Sequence, residues 1–202
     1  IHLRMTGRLI YTGKQKELAK HTHIVLDFDN GYQLRFIDVR RFGTIHLLSV
    51  NELDGIGGLA SLGPEPLGKD FDERYLGKKL KGKTRGIKQL LLDQKIIAGL
   101  GNIYADEVLF DAAILPTRPG SSLNSEEVSR LYNSIVRVIK EAIDHRGTSF
   151  KDYVDGSGLQ GKHQEHLMVY QKNGQLCMRC SSVIKKERIA GRSSHFCSTC
   201  QK

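Results

Sequence analysis

The chain has 202 residues, with 31 Lys and Arg against 22 Asp and Glu and a formal net charge of +9. That length suits one large domain or two modest ones and can bury a core. Hydrophobic content of 39% with 26% charged residues excludes a disordered chain, and no stretch approaches the roughly 18 apolar residues of a membrane span. The opening residues, Ile1 to Met5, form an apolar, strand-like run with neither an initiator Met nor the design of a signal peptide. The chain is therefore expected to be the remainder of a longer protein.

Residues 1–50 read as β. His23 to Phe28 and Tyr32 to Phe36 flank Asp29-Asn30-Gly31, and Asn-Gly between alternating apolar runs signals a hairpin. Gly55, Gly57 and Gly58, then Leu62-Gly63-Pro64-Glu65-Pro66-Leu67-Gly68, break the pattern and mark a linker. Residues 70–150 read as helical. One helix is expected over Ile87–Ile97, stopping at Gly99-Leu100-Gly101, and Asn102 opens another through about Ala113, ended by Pro116. Asn124 is placed to cap a third helix, with Glu127 in the capping-box position and Leu123 able to staple to Val128. From there Val128, Leu131, Tyr132, Ile135, Val138, Ile139 and Ala142 share one helical face. Gly147–Gly161 is polar and glycine-rich, hence a loop, and Asn173-Gly174 is a candidate turn.

A positive excess suits a polyanion, nucleic acid or an acidic membrane surface, but charge alone equally fits a basic protein with no such partner. Its distribution is more informative: residues 171–202 carry seven Lys and Arg against the single acid Glu187. The same segment holds all four cysteines, as Cys177-x2-Cys180 and, after sixteen residues, Cys197-x2-Cys200. Each close pair can place two thiolates on one ion, and the span between can return as a hairpin to complete a tetrahedron. Two disulfides or four free thiols are the alternatives. Disulfides require a secreted context that nothing here supports. One structural Zn²⁺ is the expectation, closed to substrate because all four positions are sulfur.

Gly99-Leu100-Gly101-Asn102 sits at a helix–helix junction, where glycine lets backbone amides approach a ligand and the following helix start favours phosphate. By spacing alone a tight turn with glycine caps is the better reading. The wider block, Ile87-Lys88, Leu91-Leu92-Asp93-Gln94 and Ala98 through Glu107, closely resembles the helix–two-turns–helix motif of bacterial formamidopyrimidine-DNA glycosylases. The four-cysteine segment with Ala190-Gly191-Arg192 and Phe196-Cys197 is similar to the zinc finger of that family. His2 to Gly7, Asp38-Val39-Arg40-Arg41-Phe42-Gly43 and Leu62 to Leu67 also match, so the resemblance spans the chain with its motifs in order.

That resemblance implies an α+β fold in three parts. Residues 1–62 would be the remnant of an N-terminal β-sandwich catalytic domain, 63–164 a helical DNA-binding domain with a lesion-recognition loop, and 165–202 the zinc finger hairpin. It implies a bifunctional DNA glycosylase and abasic-site lyase of base-excision repair. Such an enzyme removes oxidised purines such as 8-oxoguanine and formamidopyrimidines, then cleaves the strand by β,δ-elimination. It also implies damaged double-stranded DNA as partner, a monomer, and a bacterial cytoplasmic location. The sister enzyme for oxidised pyrimidines and a non-catalytic, zinc-containing nucleic-acid-binding module are the alternatives.

An enzyme that extrudes a base must fill the hole it leaves. By the family match Met5, Arg40 and Phe42 do so: a thioether and an aromatic ring can wedge between base steps, and Arg40 can bond the orphaned partner base. Taken singly, Met5 and Phe42 would be core residues. The DNA-binding residues implied by the match are His2, His21, Arg40, Lys83, Lys88, Asn102 and Arg192, with Arg192 also assigned a part in δ-elimination. A guanidinium suits phosphate but is a poor proton donor. The loop Asp155–Lys162 matches the segment that covers the flipped base. His163 stands where the family usually has Phe, and Arg146-Gly147-Thr148-Ser149 where Gly-Gly-Thr-Thr is common. The family's nucleophile is an N-terminal proline beside a glutamate, with a lysine that aids β-elimination. Ile1 matches a point beyond all three, so the chain alone is expected to bind DNA without glycosylase activity.

Overall fold

A computed structural model of the chain describes residues 1–55, 58–150 and 154–202. Gly57 of the expected linker and residues 151–153 of the expected loop lie outside the described residues. The elements run β1 (Gly7–Gly13), β2 (Thr22–Asp27), β3 (Tyr32–Asp38), α1 (Glu73–Leu80), α2 (Ile87–Leu91), α3 (Asn102–Asp111), α4 (Ser125–Asp144), β4 (Lys185–Ile189) and β5 (Arg192–Phe196), with short 3-10 turns at Val50–Gly55, Gly120–Ser122 and His163–His166. The fold is mixed α+β. Packing divides the chain into one unit of residues 1–53 and 142–166 and another of residues 54–141 and 167–202.

In the first unit β1, β3 and β2 form an antiparallel sheet in that order, with Gly7 opposite Asp38 and Asp27 opposite Gln33. The turn between β2 and β3 is the expected one, with Gly31 at φ +80°. β3 is buried through Phe36 and Ile37. The β1 backbone also donates to the Asp155–Lys162 loop, from Tyr11 N–H to the Gly156 carbonyl at 2.9 Å. At the loop's base, a Cβ on Gly161 would lie 2.1 Å from the Gly147 carbonyl oxygen, so only glycine fits that approach.

The second unit carries the main core: Leu76 and Leu80 of α1, Ile87, Leu90 and Leu91 of α2, Leu109 of α3, and Leu131 and Ile135 of α4. Asn124 caps α4 in a reciprocal box, its Oδ1 accepting from Glu127 N–H and Glu127 Oε2 accepting from Asn124 N–H, both at 2.9 Å. The expected helix over Ile87–Ile97 is shorter, ending at Leu91. Gln94 explains the difference. Its Oε1 accepts from Gly99 N–H at 2.7 Å and its Nε2 donates to the Leu100 carbonyl at 3.0 Å, which fixes two successive turns where helix was expected. Gly99 at φ +80° reverses the chain before α3.

β4 and β5 pair as a hairpin through Ala190-Gly191, both at positive φ. A smaller core of Phe110, Val169, Ile184, Cys177 and Cys197 joins this hairpin to α3.

Candidate nucleic-acid interface and metal centre

Among the described residues, one group of side chains is placed to hold a metal ion: Cys177, Cys180, Cys197 and Cys200, whose sulfurs all lie within 4.8 Å of one another. Cys180 Sγ is 3.4 Å from Cys197 Sγ, and Cys177 Sγ is 3.9 Å from Cys200 Sγ. All four are free thiols. A tetrahedral site with Zn–S bonds of about 2.3 Å has sulfur–sulfur edges of about 3.8 Å, so the cage fits zinc. Hydrogen bonds from Ser182 pull the Cys180 thiol down to about 6, whereas burial and the neighbouring sulfurs push Cys200 up to about 12. Zinc takes its sulfur ligands as thiolates, so these four cysteines would hold it with release of their protons.

In the first unit Met5, Arg40 and Phe42 converge. Arg40 Nη1 lies 3.3 Å from Met5 Sδ, and its guanidinium stacks 4.7 Å from the centre of the Phe42 ring. Met5 is 74% exposed and Phe42 55%. Met5 and Phe42 are therefore surface side chains and not the core residues that each would be taken for singly. The device that holds them is Asp38, whose role the sequence did not suggest. Its Oδ1 accepts from Thr6 Oγ1 at 2.5 Å and Arg40 N–H at 3.2 Å, and its Oδ2 from Gly43 N–H at 2.8 Å. These bonds, led by Thr6, bring its carboxyl down to about 2.

The remaining candidates are dispersed. His2 and His21 lie on the first unit: His2 is exposed and bridges its backbone to Thr44, and His21 is half-buried at φ +67°. Lys83 is exposed on the second unit. Asn102 begins α3, and its Nδ2 donates to the Ser193 carbonyl at 3.0 Å, one residue beyond the exposed Arg192. The structure therefore places Asn102 beside the strand that carries Arg192.

Lys88 departs from the expectation. It is fully buried, its ammonium 2.6 Å from Asp106 Oδ1, and it donates to Ser194 Oγ at 2.6 Å and the Ser193 carbonyl at 3.0 Å. Burial lowers the ammonium and raises the Asp106 carboxyl, each partner opposing that effect on the other. In this structure the ammonium is committed to protein groups, so the expected direct phosphate contact is corrected.

α3 carries a second buried acid. Glu107 accepts the backbone N–H groups of Met168 at 2.7 Å, Val169 at 3.0 Å and Tyr170 at 2.8 Å. Burial pushes its carboxyl up, against three donors that favour the anion. The signal that could have found these two acids is their place in an apolar helix: Ala105 to Phe110 are all buried, and acids there need dedicated partners. In the loop region, His163 is buried, with His145 Nδ1 3.1 Å from its own Nδ1. His163 thus occupies an interior position beside a second imidazole.

Three family models match the chain: the formamidopyrimidine-DNA glycosylase N-terminal domain over residues 1–45, the formamidopyrimidine-DNA glycosylase H2TH domain over 62–154, and the zinc finger found in FPG and IleRS over 174–202. A formamidopyrimidine-DNA glycosylase of Desulforamulus reducens is 51% identical over the whole chain and 73% of its own length. One of Moorella thermoacetica is 53% identical over 93% of the chain and 69% of its own length. Solved structures of Lactococcus lactis Fpg are similar too. A variant in complex with Fapy-dG containing DNA is 39% identical with a TM-score of 0.90, and a complex with abasic-site DNA is 40% identical with a TM-score of 0.89; each is matched over the whole chain and 73% of the other. With these relatives, the exposed Met5, Arg40 and Phe42 triad and the four-sulfur cage, the chain belongs to the formamidopyrimidine-DNA glycosylase family.

Proposed function

We propose that this chain grips damaged duplex DNA in base-excision repair, as part of a bifunctional glycosylase and abasic-site lyase that removes oxidised purines and cleaves by β,δ-elimination. The observation that carries the reading is the Met5, Arg40 and Phe42 group, exposed and pre-assembled by Asp38. It can fill the space an extruded nucleotide leaves while Arg40 bonds the widowed base. His2, His21, Lys83, Asn102 and Arg192 are proposed as phosphate contacts that fix the register on the duplex. Arg192 is proposed to hold the phosphate during δ-elimination. The glycosylase and first lyase steps belong to the proline and glutamate that precede Ile1 in the family. The four cysteines would hold a single structural zinc, whose charge organises the hairpin that carries Arg192. The functional parts are proposed as residues 1–62, 63–164 and 165–202 of a monomer acting on DNA in the bacterial cytoplasm.

Binding of the chain to duplexes containing a tetrahydrofuran abasic analogue tests this, with cytosine or adenine opposite. The expected result is tighter binding to the abasic duplex than to undamaged DNA, best opposite cytosine, with the cytosine preference lost in Arg40→Ala. Equal affinity for damaged and undamaged duplex in the folded, zinc-loaded chain would refute the reading and favour a general nucleic-acid-binding module. Borohydride trapping on an 8-oxoguanine duplex is expected to give no adduct with these 202 residues alone.

A further inference from the structure

The interior around Lys88 bears on the exposed Arg192. Strand β5 is held at three consecutive residues immediately after Arg192. The Ser193 carbonyl accepts from both Lys88 Nζ and Asn102 Nδ2, each at 3.0 Å, and Ser194 Oγ accepts from Lys88 Nζ at 2.6 Å. The His195 N–H donates to Asp106 Oδ2 at 2.9 Å, with His195 Nδ1 3.2 Å from the same oxygen. Arg192 is near enough for its positive charge to act on Lys88. Among the described residues its guanidinium has no hydrogen bond or ion pair. Of the two buried acids of α3, Glu107 is met by three backbone N–H groups, which leaves Asp106 as the one that depends on a cation. Lys88, inside, neutralises the anion at 2.6 Å, and Arg192, outside, is left over.

We propose that Lys88 is a positioning residue that satisfies Asp106 in the interior and clamps Ser193 and Ser194, so that the Arg192 guanidinium stays outward and free for a DNA phosphate. An isolated buried carboxylate is strongly unfavourable. Without the Lys88 charge, Asp106 draws on the neighbouring cation, and Arg192 turns inward and is lost to DNA. Asn102, sharing the Ser193 carbonyl, then loses its place beside the phosphate as well. This inference rests on the reading of Arg192 as a phosphate contact.

Fluorescence anisotropy on the abasic-analogue duplex, across about 50 to 200 mM salt, tests both levels. Arg192→Ala is expected to lower the slope of log K against log salt by about 0.9, which at 0.1 M weakens binding about eightfold. Lys88→Gln should do the same, and adding Arg192→Ala to it should cost nothing more. The neutral pair Lys88→Gln with Asp106→Asn removes the stray anion and should return the slope to the wild-type value.

An unchanged slope in folded, zinc-loaded Lys88→Gln overturns the proposal. So does a double variant that still lacks one counterion, because that marks Lys88 as a phosphate ligand in its own right. A merely structural role would lower affinity at constant slope. If Lys88→Gln does not fold, the double variant decides alone. An unchanged slope in Arg192→Ala, with the wild type binding normally, removes the phosphate reading of Arg192 and this inference with it. The repair assignment would stand.

Discussion

Glu107 ties α3 to the chain entering the zinc finger, and replacing it with Ala should release that joint. The carboxylate is buried and takes the N–H groups of Met168, Val169 and Tyr170 at 2.7 to 3.0 Å. Three consecutive amides pointing at one acceptor cannot pair with each other. Truncation therefore strands one buried donor, Val169 N–H, and two half-buried ones, Met168 and Tyr170 N–H, each worth up to about 1 to 3 kcal/mol when unsatisfied. Relief from burying a charge offsets part of this, leaving an expected cost of about 3 to 5 kcal/mol. Glu107→Gln keeps one acceptor oxygen, which serves Val169 and Tyr170 as neutral bonds but turns an NH2 group toward the Met168 N–H, and about 2 kcal/mol is expected. Urea denaturation followed by zinc release to a chromogenic chelator reads the event where it occurs, because Val169 packs in the same small core as Cys177 and Cys197. Midpoints should fall in the order wild type, Gln, Ala. A Glu107→Ala stability within about 0.5 kcal/mol of wild type, the range of an ordinary surface change, would refute the argument that these amides depend on the carboxylate.

Two further outcomes follow from the geometry. Asp38 has a folded value of about 2 against an ordinary 3.8. Its contribution to the Arg40–Phe42 turn is thus complete above about pH 4 and lost as pH falls through about 2. The amide resonances of Arg40 and Gly43 should titrate together in that window, and Asp38→Asn should abolish the transition; a transition surviving in that variant would assign it elsewhere. Removal of zinc with a chelator should unfold the β4–β5 hairpin and weaken DNA binding, with recovery on adding zinc back. Undiminished hairpin amide protection in metal-free protein would show that the small core, not the ion, holds the finger.

Much of this protein was legible in one dimension. The Asn30-Gly31 turn, the Asn124 and Glu127 capping box and the cysteine spacing are local signals, because each depends on neighbours within a few residues. The cysteine pattern marks the metal centre within the sequence itself, since two C-x2-C pairs can close one cage wherever the intervening chain returns. The early end of α2 was not legible. A side chain at Gln94 competing for Gly99 and Leu100 looks, in sequence, like one more helical residue.

Three decisions belonged to tertiary structure. Asp38 became the organiser of the exposed triad only because Thr6, thirty-two residues away along the chain, meets it. Lys88 moved from surface contact to interior partner because Asp106 lies one helix away and Ser193 more than a hundred residues on. Asp106 and Glu107, adjacent in sequence, took up two different parts of the zinc segment. Charge and hydrogen-bonding capacity are written residue by residue, but whether a charge faces water, a phosphate or an opposite charge is settled by what the folded chain places beside it, where desolvation makes pairing obligatory.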